Sequence, residues 1–257
     1  MGIFNIFEYK LMVYMEFIDS HCHLDAFKNY DDVISRALKA GVKAMITSGC
    51  SGKNNEKTME IAQRYAGCVF PVIGIAPQEA MDMGSFDSQL SFMKENRGRI
   101  IGVGEIGLDS HWASTPEQKA RQQECFELFL EYAVSEGLPL VVHSREAEKE
   151  VLEVLMKRGA DKVLLHCFSG DLSLAETAAE HGFLMSVPPV PSRGREKIVK
   201  HVPLENLLLE TDAPYLGGEP AGVNASARMI ADIKGVDVEE VSRVTTKSCT
   251  ALFNLRC

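Results

Sequence analysis

Six side chains in this sequence are placed to do chemistry: His21, His23, Glu105, His143, His166 and Asp212. Each leaves, or directly follows, a short apolar run of the kind that forms a β-strand. His21 and His23 emerge from Phe17-Ile-Asp-Ser, and strand alternation turns both rings to one side and Cys22 to the other. Asp19 shares their side and is expected to orient one ring. A lone histidine or carboxylate at a strand end is ordinary surface chemistry. Six at the ends of successive runs point to a metal centre. Four imidazoles and two carboxylates suit two divalent ions better than one. Zn²⁺, Mn²⁺, Co²⁺ and Fe²⁺ match imidazole, whereas Mg²⁺ prefers more oxygen. On this reading His21, His23 and Asp212 hold one ion, His143 and His166 hold the other, and Glu105 bridges them. Such a pair generates hydroxide near neutral pH and clamps the entering and leaving oxygens of a displacement. Asp212 is the expected proton acceptor for the attacking water. Phosphodiesters, amides and esters all fit this chemistry.

The elements that must position these groups are legible as eight apolar runs: 17–20, 42–47, 69–75, 100–105, 139–143, 163–166, 183–187 and 206–211. Amphipathic stretches separate them. The clearest helix starts at Thr115-Pro-Glu-Gln118, a capping box with Pro at the first helical position, and stops at Gly137. Another runs over 148–158 and stops at Gly159. Eight strand-then-helix units in 257 residues predict a single-domain α/β fold, a (β/α)₈ TIM barrel with its metal site at the C-terminal ends of the strands. An open doubly wound sheet is the alternative, since strand order is not written in the sequence. Residues 15–257 read as the barrel domain. Residues 1–14 read as an N-terminal extension ahead of it, with Met12 or Met15 as an alternative start. Glu8 and Lys10 interrupt the first apolar stretch, and no small-residue cleavage site follows, which argues against a signal peptide.

Composition narrows the function classes. The chain is 46% hydrophobic and 25% charged, with a net charge of -9, so a broad basic face for sequence-independent DNA wrapping is excluded. No run approaches the roughly 18 apolar residues of a membrane span. Seven cysteines without a CxxC pair exclude a Cys₄ zinc site and predict reduced thiols in the cytoplasm. Gly102-Val-Gly-Glu-Ile-Gly107 matches GxGxxG, but no helix opens within that turn and Glu105 would repel a pyrophosphate.

Further residues offer substrate contacts. Arg145, two positions past His143, points either at a substrate phosphate or at Glu210. Arg193 and Arg195 follow the seventh strand, where barrels often bind phosphate; a solvated helix start is the plainer reading. Ser169-Gly170 offers backbone donors to an anion or simply a turn. Trp112, beside His111, either stacks a nucleobase or, as the plainer reading has it, anchors its loop. His181 and His201 sit at helix ends, where a cation complements the dipole. Cys22 and Cys167 are expected to pack against the helix layer.

Five motifs together resemble the TatD-related metal-dependent hydrolases: 17–25 (FIDSHCHLD), 104–109 (GEIGLD), 139–145 (PLVVHSR), 165–170 (LHCFSG) and 209–216 (LETDAPYL). They stand in the family's order and span nearly the whole chain from Met15. The resemblance implies an amidohydrolase-type TIM barrel and a two-metal, magnesium- or zinc-associated deoxyribonuclease. It matches His21 and His23 to the first ligand pair, Glu105 to the bridging carboxylate, His143 and His166 to the second pair, and Asp212 to the last ligand. Two departures stand out. Ala76 precedes Pro77 where the family commonly has His-Pro, and Gly218-Glu-Pro220 lacks the Asn of the family's Asn-Glu-Pro. The expected substrate is DNA, single-stranded or at strand ends, cut with Zn, Mg or Mn, without membrane attachment or an obligate protein partner. An amide or ester hydrolase and a non-catalytic metal-binding scaffold are the competing readings. Because imidazoles bind metal only when neutral, metal affinity is expected to fall as pH drops through about 6.5. Retention that stays flat in a metal-binding titration down to about pH 4.5 would refute a four-histidine ligand set.

Overall fold

The computed structural model describes residues 15–256, so the N-terminal extension and its alternative starts lie outside the described residues. Strands and helices alternate along the chain: β1 (Phe17–Cys22), α1 (Tyr30–Lys39), β2 (Val42–Ser48), α2 (Gly52–Arg64) and β3 (Val69–Ile73). Two helices, α3 (Pro77–Ala80) and α4 (Asp87–Glu95), lead to β4 (Gly102–Gly107), followed by α5 (Pro116–Glu136) and β5 (Leu140–His143). Then come α6 (Glu148–Lys157), β6 (Val163–Leu165), α7 (Leu172–Glu180), β7 (Leu184–Val187), α8 (Arg193–His201) and β8 (Leu207–Leu209). The chain ends with α9 (Val223–Lys234) and α10 (Val238–Phe253).

The strands pair in parallel and in chain order from β1 to β8, with none of the reversal that marks a doubly wound sheet. The last strand meets the first through Ser20, whose hydroxyl donates to the Leu209 carbonyl at 2.7 Å. Backbone N–H groups of Asp212 and His23 donate to the carbonyls of His21 and Ala213, at 3.0 and 2.8 Å. The sheet is therefore a TIM barrel.

Alternation along each strand divides the core. Ile18, Ile46, Val72, Val141, Leu164 and Leu208 fill the barrel interior. Their neighbours, such as Met45, Val142, Leu165 and Leu209, pack outward against the helices, where Phe126, Phe129 and Leu155 are fully buried. The interior cluster also takes in Cys249, Phe253 and Leu255 from the end of the chain. The hydroxyls of Ser242 and Thr246 donate to the Glu16 carbonyl just ahead of β1, at 2.8 and 3.0 Å. Thus α10 closes the N-terminal end of the barrel, and the opposite end is left for polar groups.

The capping box of α5 forms as its sequence requires: Thr115 accepts from the Gln118 N–H, and Gly137 ends the helix in a left-handed conformation. The GxGxxG stretch is β4 itself, and the next helix opens only at Pro116. These glycines serve packing. A Cβ at Gly107 would run into the carbonyl of His143, so only glycine lets β4 and β5 approach closely there. Several strands end earlier than their apolar runs. In β8 the ladder stops at Leu209, and the Thr211 N–H is captured instead by the Asp19 carboxylate at 2.9 Å.

The interior plug predicts a specific sensitivity. Phe253→Ala should lower unfolding free energy by about 3–5 kcal/mol through lost burial and a cavity. Urea unfolding of the variant should show a lower midpoint; an unchanged one would mean the barrel end is closed without it.

Candidate metal centre

The six residues singled out by the sequence converge at the C-terminal mouth of the barrel. His21 and His23 come from the end of β1, Glu105 from β4, His143 from β5, and His166 and Asp212 from just beyond β6 and β8. Asp212 adopts a left-handed backbone conformation, φ 49°, which carries its carboxylate toward the rings of β1. The Nε2 atoms of His21 and His23 are 3.1 Å apart. Both lie 3.5 Å from Glu105 Oε2. Asp212 Oδ1 is 3.6 Å from the first ring nitrogen and 3.4 Å from the second.

Glu105 Oε1 faces a second group. It stands 2.9 Å from His143 Nδ1 and 3.2 Å from His166 Nε2, and those two nitrogens are 3.1 Å apart. One buried carboxylate thus presents one oxygen to each histidine pair. The ring of His166 also stacks on His21, with centroids 3.9 Å apart.

Partners around these groups fix their orientation. Ser48 serves both rings of β1: its hydroxyl lies 3.2 Å from His21 Nδ1, and its carbonyl 3.0 Å from His23 Nδ1. Asp19, expected to orient a ring, does not. Its carboxylate accepts from the Thr211 backbone and hydroxyl, at 2.9 and 2.6 Å, because a register shift between Asp19 and Cys22 breaks the alternation. Its role is to tie β1 to the exit of β8. The residue that does orient a ring is Asp109, whose Oδ2 is 2.8 Å from His143 Nε2. Gln78 and the Trp112 N–H donate to the same carboxylate, at 2.7 and 3.1 Å. The sequence offered one signal for it, as the last residue of the GEIGLD motif. Glu210 is buried, accepts from the Ser186 hydroxyl at 2.6 Å, and lies 3.9 Å from His166 Nδ1.

The electrostatics favour a cation. Burial and the neighbouring His166 hold the His21 imidazole down at about 4, so at neutral pH it is the neutral ring that ligation requires. Burial alone would raise Glu105, but the His166 charge and hydrogen bonds from His143, His166 and His21 hold its carboxyl well below the ordinary value. Asp212 is likewise held low: burial is outweighed by the His23 hydrogen bond and by the charges of His21 and His166. In His143, burial is outweighed by Asp109 and Glu105, which raise the imidazole to about 9.

The donor spacing fits metal ions. Donors on one tetrahedral ion with bonds near 2.1 Å stand about 3.4 Å apart. The contacts linking His21, His23, Glu105 and Asp212 run from 3.1 to 3.6 Å. His143, His166 and Glu105 form a tighter triangle of 2.9 to 3.2 Å. Nitrogen lone pairs facing each other at these distances need a proton or a cation between them.

A cavity of about 700 Å³ opens over the centre, lined by Ala76, Gln78, Trp112, Arg145, Arg195 and Tyr215, among others. Arg145 borders it and makes no ion pair with Glu210, whose partner is Ser186. Arg195 also lines it, with Nη2 3.8 Å from Cys167 Sγ and Nε buried without a partner. Arg193 is exposed on the first turn of α8, away from the cavity lining. Trp112 does not anchor its loop, because 56% of it is exposed at the cavity rim, and Tyr215, 67% exposed, packs edge-on against His23 at the end of β1. Asp171 caps α7 by accepting from the Leu174 N–H, so one of the donors after Ser169-Gly170 is already used. His181 and His201 close helix ends, each ring nitrogen 2.8 Å from a carbonyl one turn back. Cys22 packs toward the helices, as alternation predicts. Cys167 does not: its φ of 48° turns it into the cavity beside Arg195.

Comparison with known proteins agrees with this geometry. The family model for TatD related DNase matches residues 18–254. Deoxyribonuclease TATDN3 of Homo sapiens is 36% identical over 257 residues, which covers 92% of this chain and 94% of that protein. The uncharacterized metal-dependent hydrolase YabD of Bacillus subtilis is 32% identical, covering 92% and 98%. The crystal structure of the TATD homolog YJJV from Escherichia coli superimposes with a TM-score of 0.85 at 25% identity, covering 93% of this chain and 98% of that one. With the family model spanning the barrel from β1 to the end of α10, this chain belongs to the TatD-related DNase family of metal-dependent hydrolases.

Proposed function

We propose that this TatD-type hydrolase cleaves DNA phosphodiester bonds, acting on single strands or strand ends, with two divalent ions held by His21, His23, Glu105, His143, His166 and Asp212. The observation that carries the reading is Glu105, which turns one carboxylate oxygen to the His21–His23 pair and the other to the His143–His166 pair. Bound divalent ions would activate water and neutralise the charge that develops on the scissile phosphate. Zinc, manganese and magnesium remain the ions to be compared; the imidazole-rich set favours the first two.

The chain's own groups supply the rest. Asp212 engages both rings of β1 through Oδ1 and keeps Oδ2 for the proton of the attacking water. The water oxygen adds to phosphorus, the bond to one ester oxygen breaks, and that oxygen leaves as a hydroxyl with the proton from Asp212. Arg145 and Arg195 line the cavity and offer positive charge to the phosphate in a chain whose net charge is -9. Exposed Trp112 and Tyr215 at the rim offer stacking faces to unpaired bases, which supports single strands over duplex. Ala76, in the cavity wall, supports the second reading: an amide or ester substrate at the same centre. Cys22, Cys50, Cys68, Cys125 and Cys167 are free thiols, which supports a reducing, cytoplasmic setting.

The direct test is cleavage of end-labelled single-stranded DNA by chelated protein, with Mg²⁺, Mn²⁺ or Zn²⁺ restored. Cutting should require metal and fall by about 10²- to 10⁴-fold in Asp212→Asn, the size of a general-base contribution. Asparagine tolerates the left-handed backbone at this position, so the fold should survive. No cutting with metal bound would direct the search to esters and amides. Asp109→Asn should weaken metal retention about 10–100-fold by releasing the His143 ring. Unchanged retention in metal analysis would remove Asp109 from the centre.

A further inference from the structure

Three of the four imidazoles at the barrel mouth have a partner on the ring nitrogen turned away from the centre. His21 Nδ1 faces the Ser48 hydroxyl, His23 Nδ1 the Ser48 carbonyl, and His143 Nε2 the Asp109 carboxylate, at 3.2, 3.0 and 2.8 Å. His166 differs. Its Nε2 faces Glu105 Oε1 and His143 Nδ1, while its Nδ1 is buried without a hydrogen-bond partner. At 3.9 Å from that nitrogen stands Oε2 of Glu210, a fully buried side chain just past the end of β8. The other oxygen of Glu210, Oε1, is also buried and unpartnered. The Ser186 hydroxyl of β7 donates to Oε2 at 2.6 Å and accepts from the Cys167 N–H at 3.4 Å, which ties Glu210 to the segment that carries His166.

We infer that Glu210 is a positioning residue for the His143–His166 side of the centre: it accepts a hydrogen bond from His166 Nδ1–H and holds that ring in the tautomer that ligates. The inference rests on the metal-centre reading proposed above. A neutral imidazole carries one proton and one free lone pair. Ligation through Nε2 uses the lone pair there and leaves the proton on Nδ1, where a buried donor needs an acceptor. Glu210 is an acceptor with an oxygen to spare. The triangle of His143, His166 and Glu105 measures 2.9 to 3.2 Å on its sides, tighter than the roughly 3.4 Å between donors on one ion. Opening it for an ion moves the His166 ring away from Glu105, the direction in which Nδ1, across the ring from Nε2, points. Closing the 3.9 Å separation to a hydrogen bond takes about 1 Å. A carboxylate acceptor also makes Nε2 a stronger donor to the ion. Both rings on this side are then backed by carboxylates, Asp109 and Glu210, whereas those of His21 and His23 are backed by the neutral oxygens of Ser48.

The experiment is zinc binding to the full chain, with NMR of the imidazole N–H groups in protein labelled with ¹⁵N-histidine. In the zinc-loaded wild type, His166 Nδ1–H should give a downfield signal slow to exchange with water, identified by its loss in His166→Ala. Glu210→Gln, which keeps the shape and removes the charge, should shift that signal upfield and weaken one zinc equivalent by about 10–100-fold, leaving the other unchanged. In the His166→Ala background the same substitution should cost nothing further, whereas a merely structural Glu210 would cost the same in both. A zinc-loaded wild type whose His166 proton sits on Nε2, an equal loss in the two backgrounds, or full zinc affinity in Glu210→Gln overturns the positioning role and leaves the metal centre standing. A wild type that binds no zinc overturns the metal centre and the inference with it.

Discussion

A carboxylate buried among imidazoles is the constraint on which this molecule depends. Glu105 is 5% exposed, and an ionised carboxylate at such a depth is costly unless positive charge or strong donors surround it. Four imidazoles from three strands supply that surround. Each is then fixed or pressed by something else: the rings of β1 by Ser48, His143 by Asp109, and the stacked His21 ring by His166. Removing Glu105 would leave these rings crowded at hydrogen-bond distance with nothing between them, so the barrel mouth is organised around one side chain.

That arrangement requires a closed barrel with a dry lower half. The interior is sealed from below by Phe253 and Leu255 against Ile18, Ile46 and Leu208, which confines the polar groups to the upper end. Closure between β8 and β1 is made by side chains as much as by backbone. Asp19 captures Thr211, and Ser20 reaches the Leu209 carbonyl. These contacts set the position from which the left-handed turn at Asp212 delivers its carboxylate. A structural carboxylate, Asp19, and a chemical one, Asp212, are thus linked through the residue between Glu210 and Asp212.

Above the centre the chain has placed a different set of residues. Arg145, Arg195, Trp112 and Tyr215 surround the cavity, and the two aromatic residues are largely exposed. Positive charge and stacking faces at the mouth of an acidic protein concentrate attraction for a polyanion at one place rather than over a broad face. Ala76 leaves part of that wall small and apolar.

The sequence by itself determined the eight strands, the capping box of α5, the convergence of six donors at strand ends, and the family motifs. Those are local patterns: alternation, helical period and residue type carry them. Tertiary structure alone decided which oxygen of Glu105 meets which histidines, because that depends on strand stagger around a closed barrel. It also decided that Asp109 rather than Asp19 holds a ring, since a register shift in β1 undoes simple alternation. The turns at Cys167 and Asp212 belong to the same class: positive φ values at residues other than glycine leave no mark in hydrophobic pattern. Donor types are written along the chain; their distances are set by strands that lie far apart in it.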